Sequence, residues 1–306
     1  MQRKTKASTL SKQVKQQKSN LQLDVNNLVG TKLFAKPIKF NFSQGDLKLP
    51  AFFARTKDNK IWGCAVDFND NRGFVRAHLE CIEKIIQNRE DIIDKSGFGC
   101  AFTVKDAVEH AILELIEYDS LFNWWVNKEK VKKIKHLPHD IKNILGENSQ
   151  NIKDIGFYQL PSKFDLPCIF VFVNFNSWPW IGCGIKCALD IDKALQGALF
   201  EAQQMRFNLK IINDTKNYKT LAEKRALFWS DEKNHYLIKE NLSRIGNLYF
   251  NKEILSKNII YDIIKKFSIG VKQEYFPIKG IYCVHVKSDL LKNPFLTPLN
   301  KPCPIV

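Results

Sequence analysis

One spacing recurs three times along this chain and constrains its fold more than any bulk property. Gly63 is followed seventeen residues later by Glu80 and then by Glu83; Gly97 is followed at the same distances by Glu114 and Glu117, and Gly184 by Glu201 and Gln204. Three positions before the first glutamate stands Ala77, Ala111 or Ala198, and seven before it Gly73, Ala107 or Ala194. These offsets fall on one stripe of a helix, because residues three and four apart share a face. Small residues along the stripe let a second backbone come close, so the carboxylates emerge at the end of a packed seam. The repeat predicts one supersecondary unit used three times: a Gly-containing turn or strand leading into a helix.

The patterning around the repeat agrees. Ile61–Phe68 and Cys168–Phe175 read as strands, the second apolar enough to be buried on both faces. Asp70–Gln87, Val104–Val126 and Ile191–Asn208 read as helices; Glu223–Ile245 and Lys252–Lys266 read as helical, and Gly280–Val286 as a strand. The stretch from Lys128 to Asp154 reads as an exposed connection or short helix, with His136 and His139 in a loop. Alternating strands and helices predict a mixed α/β (α+β) domain. Residues 1–28 differ: six of the first eighteen are Lys or Arg, and no acid precedes Asp24. They read as a basic, disordered arm, leaving 29–306 as a single catalytic domain.

Charge narrows the function classes. The chain carries 47 Lys and Arg against 32 Asp and Glu, a net +15. An excess of this size attracts polyanions, but the lysines are scattered and no nucleic-acid-binding motif accompanies them. Nucleic acid is therefore not the expected partner. No run approaches the ~18 apolar residues of a membrane span, and no apolar segment follows the basic start as in a secretory signal. Eight cysteines occur without a Cys-x-x-Cys pair, which points to a reduced, cytoplasmic protein.

The acidic minority is more informative. Two glutamates at i,i+3 repel each other unless a cation sits between them. A lone Glu-x-x-Glu is ordinarily a solvated helix face; three copies in one register are not. Glu80, Glu83, Glu114, Glu117 and Glu201, with Gln204, suit Mg2+ ions, which use few protein carboxylates and take further oxygens from phosphates.

At these residues the chain resembles the YcaO family. Ser96-Gly-Phe-Gly-Cys-Ala-Phe-Thr, then Asp106-Ala107 and Glu114-Leu-Ile-Glu-Tyr-Asp119, is similar to its central ATP-binding motif, a Ser/Asn-Gly-rich turn before a helix ending Glu-x-x-Glu-Arg-Asp. Glu80-Cys-Ile-Glu-Lys84 resembles the earlier motif Glu-Ala-x-Glu-Arg, and Glu201-Ala-Gln-Gln-Met-Arg206 the later Glu-Ala-x-Gln-x-Arg. The resemblance covers residues 50–306 and implies a YcaO-type ATP-binding fold with ATP and Mg2+ as cofactors. By that resemblance Glu80, Glu83, Glu114, Glu117 and Glu201 hold Mg2+ and phosphates, Gln204 and Ser96 contact the nucleotide or its metal shell, and Arg206 neutralises phosphate charge as a planar fork of donors. The implied activity is that of a cyclodehydratase. A Cys, Ser or Thr of a ribosomally made peptide attacks the preceding carbonyl, the resulting oxygen is phosphorylated, and phosphate leaves to give a thiazoline or oxazoline. Thioamide- and amidine-forming relatives share the ATP site.

Two departures stand out: Lys84 and Tyr118 occupy positions where the family has arginine, which opens the alternative of a nucleotide-binding regulatory subunit that has lost turnover. The chain ends Pro302-Cys-Pro304-Ile-Val306, similar to the Pro-x-Pro-x-Pro tail of azoline-forming members, so Pro302, Pro304 and Val306 are expected at the catalytic centre. Arg225 lies where the family has an Arg-Asp-His-like motif. The length leaves no room for a fused E1-like or leader-binding domain. A separate partner is then expected to present the precursor peptide, with Trp124, Trp125, Trp178 and Trp180 as candidate docking residues; relatives imply a homodimer.

Overall fold

A computed structural model of the chain describes residues 32–40, 46–90, 96–164, 166–215, 221–246, 258–276, 278–292 and 302–304. The basic segment 1–28 and Val306 lie outside the described residues.

Among the described residues three antiparallel sheets carry the fold. The first has the order β1 (Ile38–Phe40), β2 (Ala51–Arg55), β3 (Trp62–Val66), and its edge strand β3 leads into α1 (Asp70–Glu90). The second begins with β4 (Ser96–Ala101), which leads into α2 (Val104–Trp125). The third is built from β5 (Lys132–Lys133), β6 (Ile152–Gln159), β7 (Cys168–Phe175) and β8 (Ile181–Cys187) in that order, with α3 (His139–Glu147) between β5 and β6. Its edge strand β8 leads into α4 (Ile191–Thr215). Then follow α5 (Leu221–Ser230), α6 (His235–Leu242) and α7 (Ile259–Lys266). Last, β9 (Gly270–Glu274) and β10 (Tyr282–Lys287) complete the second sheet in the order β4-β10-β9.

The repeat is thus an edge strand followed by a helix, once per sheet. Its glycines lie within β3, β4 and β8, the strand alternative of the turn-or-strand expectation. A β-carbon at Gly63 would stand 2.0 Å from the carbonyl oxygen of Ala77, at Gly97 1.9 Å from that of Ala111, and at Gly184 2.0 Å from that of Ala198. Glycine and alanine are therefore the two sides of one backbone-to-backbone contact, made three times. Any residue larger than glycine on the strand would push the helix away.

The buried core falls at the junctions between successive units. Apolar residues of α1 (Ala77, Ile82, Ile85) pack between the first and second sheets, against Phe52, Ala54, Phe98 and Cys283. Those of α2 (Ile112, Leu115, Ile116) lie between the second and third, against Val284, Phe170 and Ile185. Those of α4 (Leu195, Leu199, Phe207) lie between the third and the first, against Val171, Phe175, Phe53 and Val66. Each helix covers its own sheet and the next, so the three units close on one another. β7 is buried at all eight positions, as its unbroken apolar run predicts. Ile169, Val171, Val173 and Phe175 face one core; Cys168, Phe170 and Phe172 face another.

Some elements depart from expectation. The predicted helix 223–245 is two helices, because the Asp231 side chain accepts from the Lys233 N–H and caps a 3-10 turn at Glu232–Asn234. His139 starts α3 rather than lying in a loop. Trp124 and Trp125 are core residues; Trp178 is exposed and Trp180 partly so. All eight cysteines are buried and free of disulfides. Among the described residues no helix is long and apolar enough to cross a membrane.

Candidate functional site

Edge strands leave backbone N–H groups without a neighbouring strand, and the glutamates of the repeat take them up. Glu80 Oε2 accepts from the Cys64 N–H at 3.2 Å, Glu114 Oε2 from the Phe98 N–H, and Glu201 Oε2 from the Ile185 N–H at 3.2 Å. In every case the donor is the residue after the repeat glycine. The second acidic position reaches into the following unit. Glu83 Oε1 accepts from the Cys100 N–H at 2.8 Å, and Glu117 Oε1 from the Cys187 N–H at 2.8 Å. Both donors stand three residues after the next unit's glycine. The third copy has an amide here: Gln204 Nε2 donates to both oxygens of Glu80, at 3.2 and 3.0 Å, which links the last unit to the first. Six side chains separated by up to 124 residues in sequence are thereby gathered into one ring.

Cations and one hydroxyl complete it. Lys84 Nζ lies 2.8 Å from Glu80 Oε1, and Lys186 Nζ lies 3.1 Å from Glu117 Oε1 and 3.2 Å from Glu201 Oε1. Tyr118 donates its hydroxyl to Glu114 Oε1 at 2.6 Å. Even so, negative charge is crowded. Burial, then the charge of Glu114, pushes the Glu83 carboxyl well above the usual carboxylate range. Burial raises Glu114 against the hydrogen bonds from Tyr118 and Phe98. Burial also raises Glu117, to about 8, with Lys186 opposing and Glu201 reinforcing the shift. For Lys84 burial works against the charge, and the Glu80 carboxylate more than offsets it, leaving the ammonium above its ordinary value.

A pH dependence follows. The folded protein keeps protons on these carboxyls that the unfolded chain releases above the ordinary 4.5, so unfolding releases protons and rising pH favours it. For Glu117 that stabilising contribution is complete below 4.5 and is lost as pH rises through about 8, and Glu83 and Glu114 act in the same direction. His78, His110 and His235 are held below their ordinary 6.5, mainly by burial, and act in the opposite sense only around and below that value. Without divalent ions, the urea midpoint is expected to fall between about pH 7 and about pH 8, and Glu117→Gln to flatten that slope. A midpoint rising over this interval would contradict the charge arrangement.

The donor set fits a divalent cation. Buried carboxylates held ready by backbone N–H groups, and driven toward protonation first by burial and then by neighbouring charge, are stabilised by a positive ion between them. The arrangement is nevertheless more economical than five metal ligands at once. Among the described residues no three His, Cys, Asp or Glu side chains converge as a ready-made metal site. The glutamates meet in pairs at the unit junctions instead, and both oxygens of Glu80 are engaged by protein donors. Mg2+ commonly takes one or two carboxylates and completes its shell with water and phosphate oxygens, so pairs suffice.

Arg206 is placed differently from its expected role against phosphate. It is wholly buried, with Nε 2.7 Å from Asp46 Oδ1, Nη1 donating to the Pro179 carbonyl at 2.5 Å and Nη2 to Ser177 Oγ at 3.0 Å; the Phe175 ring lies 3.8 Å from the guanidinium. It ties α4 to the loop after β7, with Lys210 also on Asp46 at 2.7 Å. Ser96 opens β4 opposite Lys287, and its side chain lies outside the described residues. Pro302 and Pro304 are buried, and the Cys303 carbonyl between them accepts from Trp229 Nε1 at 3.0 Å. The tail is therefore docked on α5 in the core that also holds Cys183, with Arg225 buried beside it. Asp119, at the end of the central motif, is an internal anchor: it accepts from Lys163 Nζ at 2.8 Å and from the Lys292 N–H at 2.9 Å. Lys186 was not foreseen. Its signal was a break in the repeat, since the matching positions are Ala65 and Gly99.

The family described as YcaO cyclodehydratase, ATP- and Mg2+-binding, matches residues 46–259, a segment that contains all six ring side chains. No curated protein matches the chain. Among solved structures, a heterocyclase in complex with substrate and cofactor aligns with a TM-score of 0.65 at 12% identity, covering 88% of this chain. The chain spans 53% of that protein's length. YcaO from Methanopyrus kandleri, bound with AMPPCP and Mg2+, aligns with a TM-score of 0.65 at 11% identity over 89% of both chains. A chain of the E. coli microcin synthetase McbBCD complex aligns with a TM-score of 0.60 at 13% identity, covering 83% of this chain and 86% of that one. These likenesses show a shared fold.

Proposed function

Because the chain belongs to the YcaO family, whose ligands are ATP and Mg2+, we propose that it is a cyclodehydratase component that activates a backbone amide of a ribosomally made peptide and forms a thiazoline or oxazoline from its Cys, Ser or Thr. The observation that carries this reading is the closed ring of carboxylates, each held by a backbone N–H, with Glu83, Glu114 and Glu117 raised above the usual carboxylate range mainly by burial. Glu83 and Glu114 are the residues best placed to hold Mg2+, because among the described residues neither forms an ion pair with a lysine or arginine. Bound ATP supplies the phosphoryl group that makes a poor leaving oxygen a good one, and Mg2+ offsets phosphate charge. The protein's own part is placement: the glycine–alanine contacts fix each helix, and the N–H groups fix each carboxylate before ligand arrives, so little reorganisation is needed.

A separate protein that presents the peptide belongs to this reading. Support comes from the microcin synthetase neighbour, which is a multi-protein complex and has also been solved with pro-MccB17 bound. The test combines purified protein, its partner and the precursor peptide. Phosphate release from ATP is expected only with peptide present, together with a loss of one water of mass per modified residue. Peptide-dependent release with sulfur gained instead would identify a thioamide-forming enzyme. Peptide-independent ATP turnover, or none, would overturn the cyclodehydratase reading. One observation favours a regulatory subunit without turnover: Tyr118 brings a neutral hydroxyl, already bonded to Glu114, to a position where the resembled motif has a cation.

A further inference from the structure

The three junctions of the carboxylate ring are not neutralised alike. Between the third unit and the first, the Gln204 amide and Lys84 face Glu80. Between the first and second, Glu83 and Glu114 accept from the Cys100 and Phe98 N–H groups, two residues apart on β4, with no ion pair to either among the described residues. Between the second and third, the Lys186 ammonium bridges Glu117 and Glu201 at 3.1 and 3.2 Å, where Glu117 is 5% exposed and Lys186 35% exposed in their side chains.

Lys186 is built into that place. It stands two residues after the repeat glycine, where the other units have Ala65 and Gly99, both small. Opposite, four residues before the first glutamate, the helices of those units carry Arg76 and His110, whereas α4 carries Gly197. A β-carbon at Gly197 would lie 2.6 Å from Lys186 Cγ and 2.9 Å from its Cδ, so the missing side chain is the space the lysine stem occupies. At Gly99 the relation is reversed: a β-carbon there would lie 3.0 Å from the His110 Cβ. In the first unit Arg76 turns instead to the Val66 carbonyl and Asp67, and in the second Gly99 lies against His110. In the third the lysine stem lies over a helix glycine, which brings its ammonium between the two carboxylates.

We propose that Lys186 is the resident counter-ion of the Glu117–Glu201 pair, so that a divalent cation is drawn to the Glu83–Glu114 junction and not to Glu117–Glu201. The proposal deepens the metal-dependent reading above and rests on it. An ammonium at this distance from two carboxylates supplies the attraction that a metal ion would otherwise supply, and it excludes the metal by charge and by volume.

The test counts Mn2+ ions bound by the full-length protein, by calorimetry and by the spin-resonance signal of free Mn2+, and records the melting temperature with and without Mn2+. The wild type is expected to bind Mn2+ in a manner abolished by Glu83→Gln. Lys186→Met is expected to bind one ion more, to melt lower than wild type without Mn2+ and to regain that loss when Mn2+ is added. Lys186→Arg, which keeps the charge, is expected to keep the wild-type count. If Lys186→Met is too unstable to purify without metal, Lys186→Gln purified in Mn2+ gives the same count. An unchanged count and an unchanged Mn2+-induced shift in the lysine variants, with wild-type binding intact, overturn the counter-ion role alone. Absence of Mn2+ binding in the wild type and in Lys186→Met overturns the metal-binding reading as well.

Discussion

Gly97→Ala is expected to cost about 3 kcal/mol or more of stability, enough to remove a large part of the folded population in a domain of ordinary stability. The added methyl would stand 1.9 Å from the Ala111 carbonyl oxygen, 2.9 Å from its carbonyl carbon and 3.0 Å from the Leu115 N. All three are helix backbone, which cannot rotate away as a side chain can. Relief requires β4 and α2 to separate, and that separation also pulls the Glu114 carboxylate from the Phe98 N–H. Gly63→Ala and Gly184→Ala meet the same obstacle, at 2.0 Å from Ala77 O and Ala198 O, and are expected to behave alike. Gly146→Ala is the control: nothing lies within 4 Å of its added carbon, and a helical glycine replaced by alanine gains roughly 0.5–1 kcal/mol. Urea midpoints of the four variants are the measurement. Three large losses and one small gain support the seam, whereas a wild-type midpoint for Gly97→Ala would mean that strand and helix are not in contact there.

These seams explain why so much of the fold was legible. The glycine and alanine sit at one backbone contact and the glutamate at a second, the N–H beside it, so the repeat in sequence is a repeat in space. β7 was readable because burial on both faces erases alternation. What could not be read is the direction in which a side chain is satisfied. Arg206 carries the residue type of a phosphate contact, yet its partner is Asp46, 160 positions away, and no local pattern encodes that pairing. β4 read as a glycine-rich turn because two glycines in six residues weaken any strand signal; its pairing with β10 comes from 183 residues downstream, at Cys100 and Cys283. Lys186 was visible only as a misfit to the repeat, and its meaning waited on Gly197 across the seam.

The ring also sets function against stability, and Glu114→Gln separates the two. The amide keeps the shape and retains an acceptor for the Phe98 N–H, while its NH2 group faces the Tyr118 oxygen. The charge is what disappears. Because burial raises Glu114 above its ordinary value, ionising it costs more in the folded protein than in the unfolded chain. The neutral variant is therefore expected to be at least as stable as wild type in the absence of divalent ions, and more so toward pH 8. Divalent-ion affinity is expected to fall by about 10–100-fold or more, as it does when groups around a metal are altered, and peptide-dependent ATP turnover to fall with it. Only a residue that holds unfavourable charge for a ligand gives that combination of a retained or raised urea midpoint, weakened Mn2+ binding and lost turnover. A lower midpoint with unchanged Mn2+ affinity would mark Glu114 as a structural cap of β4. Unchanged turnover would move the reacting centre away from the ring altogether.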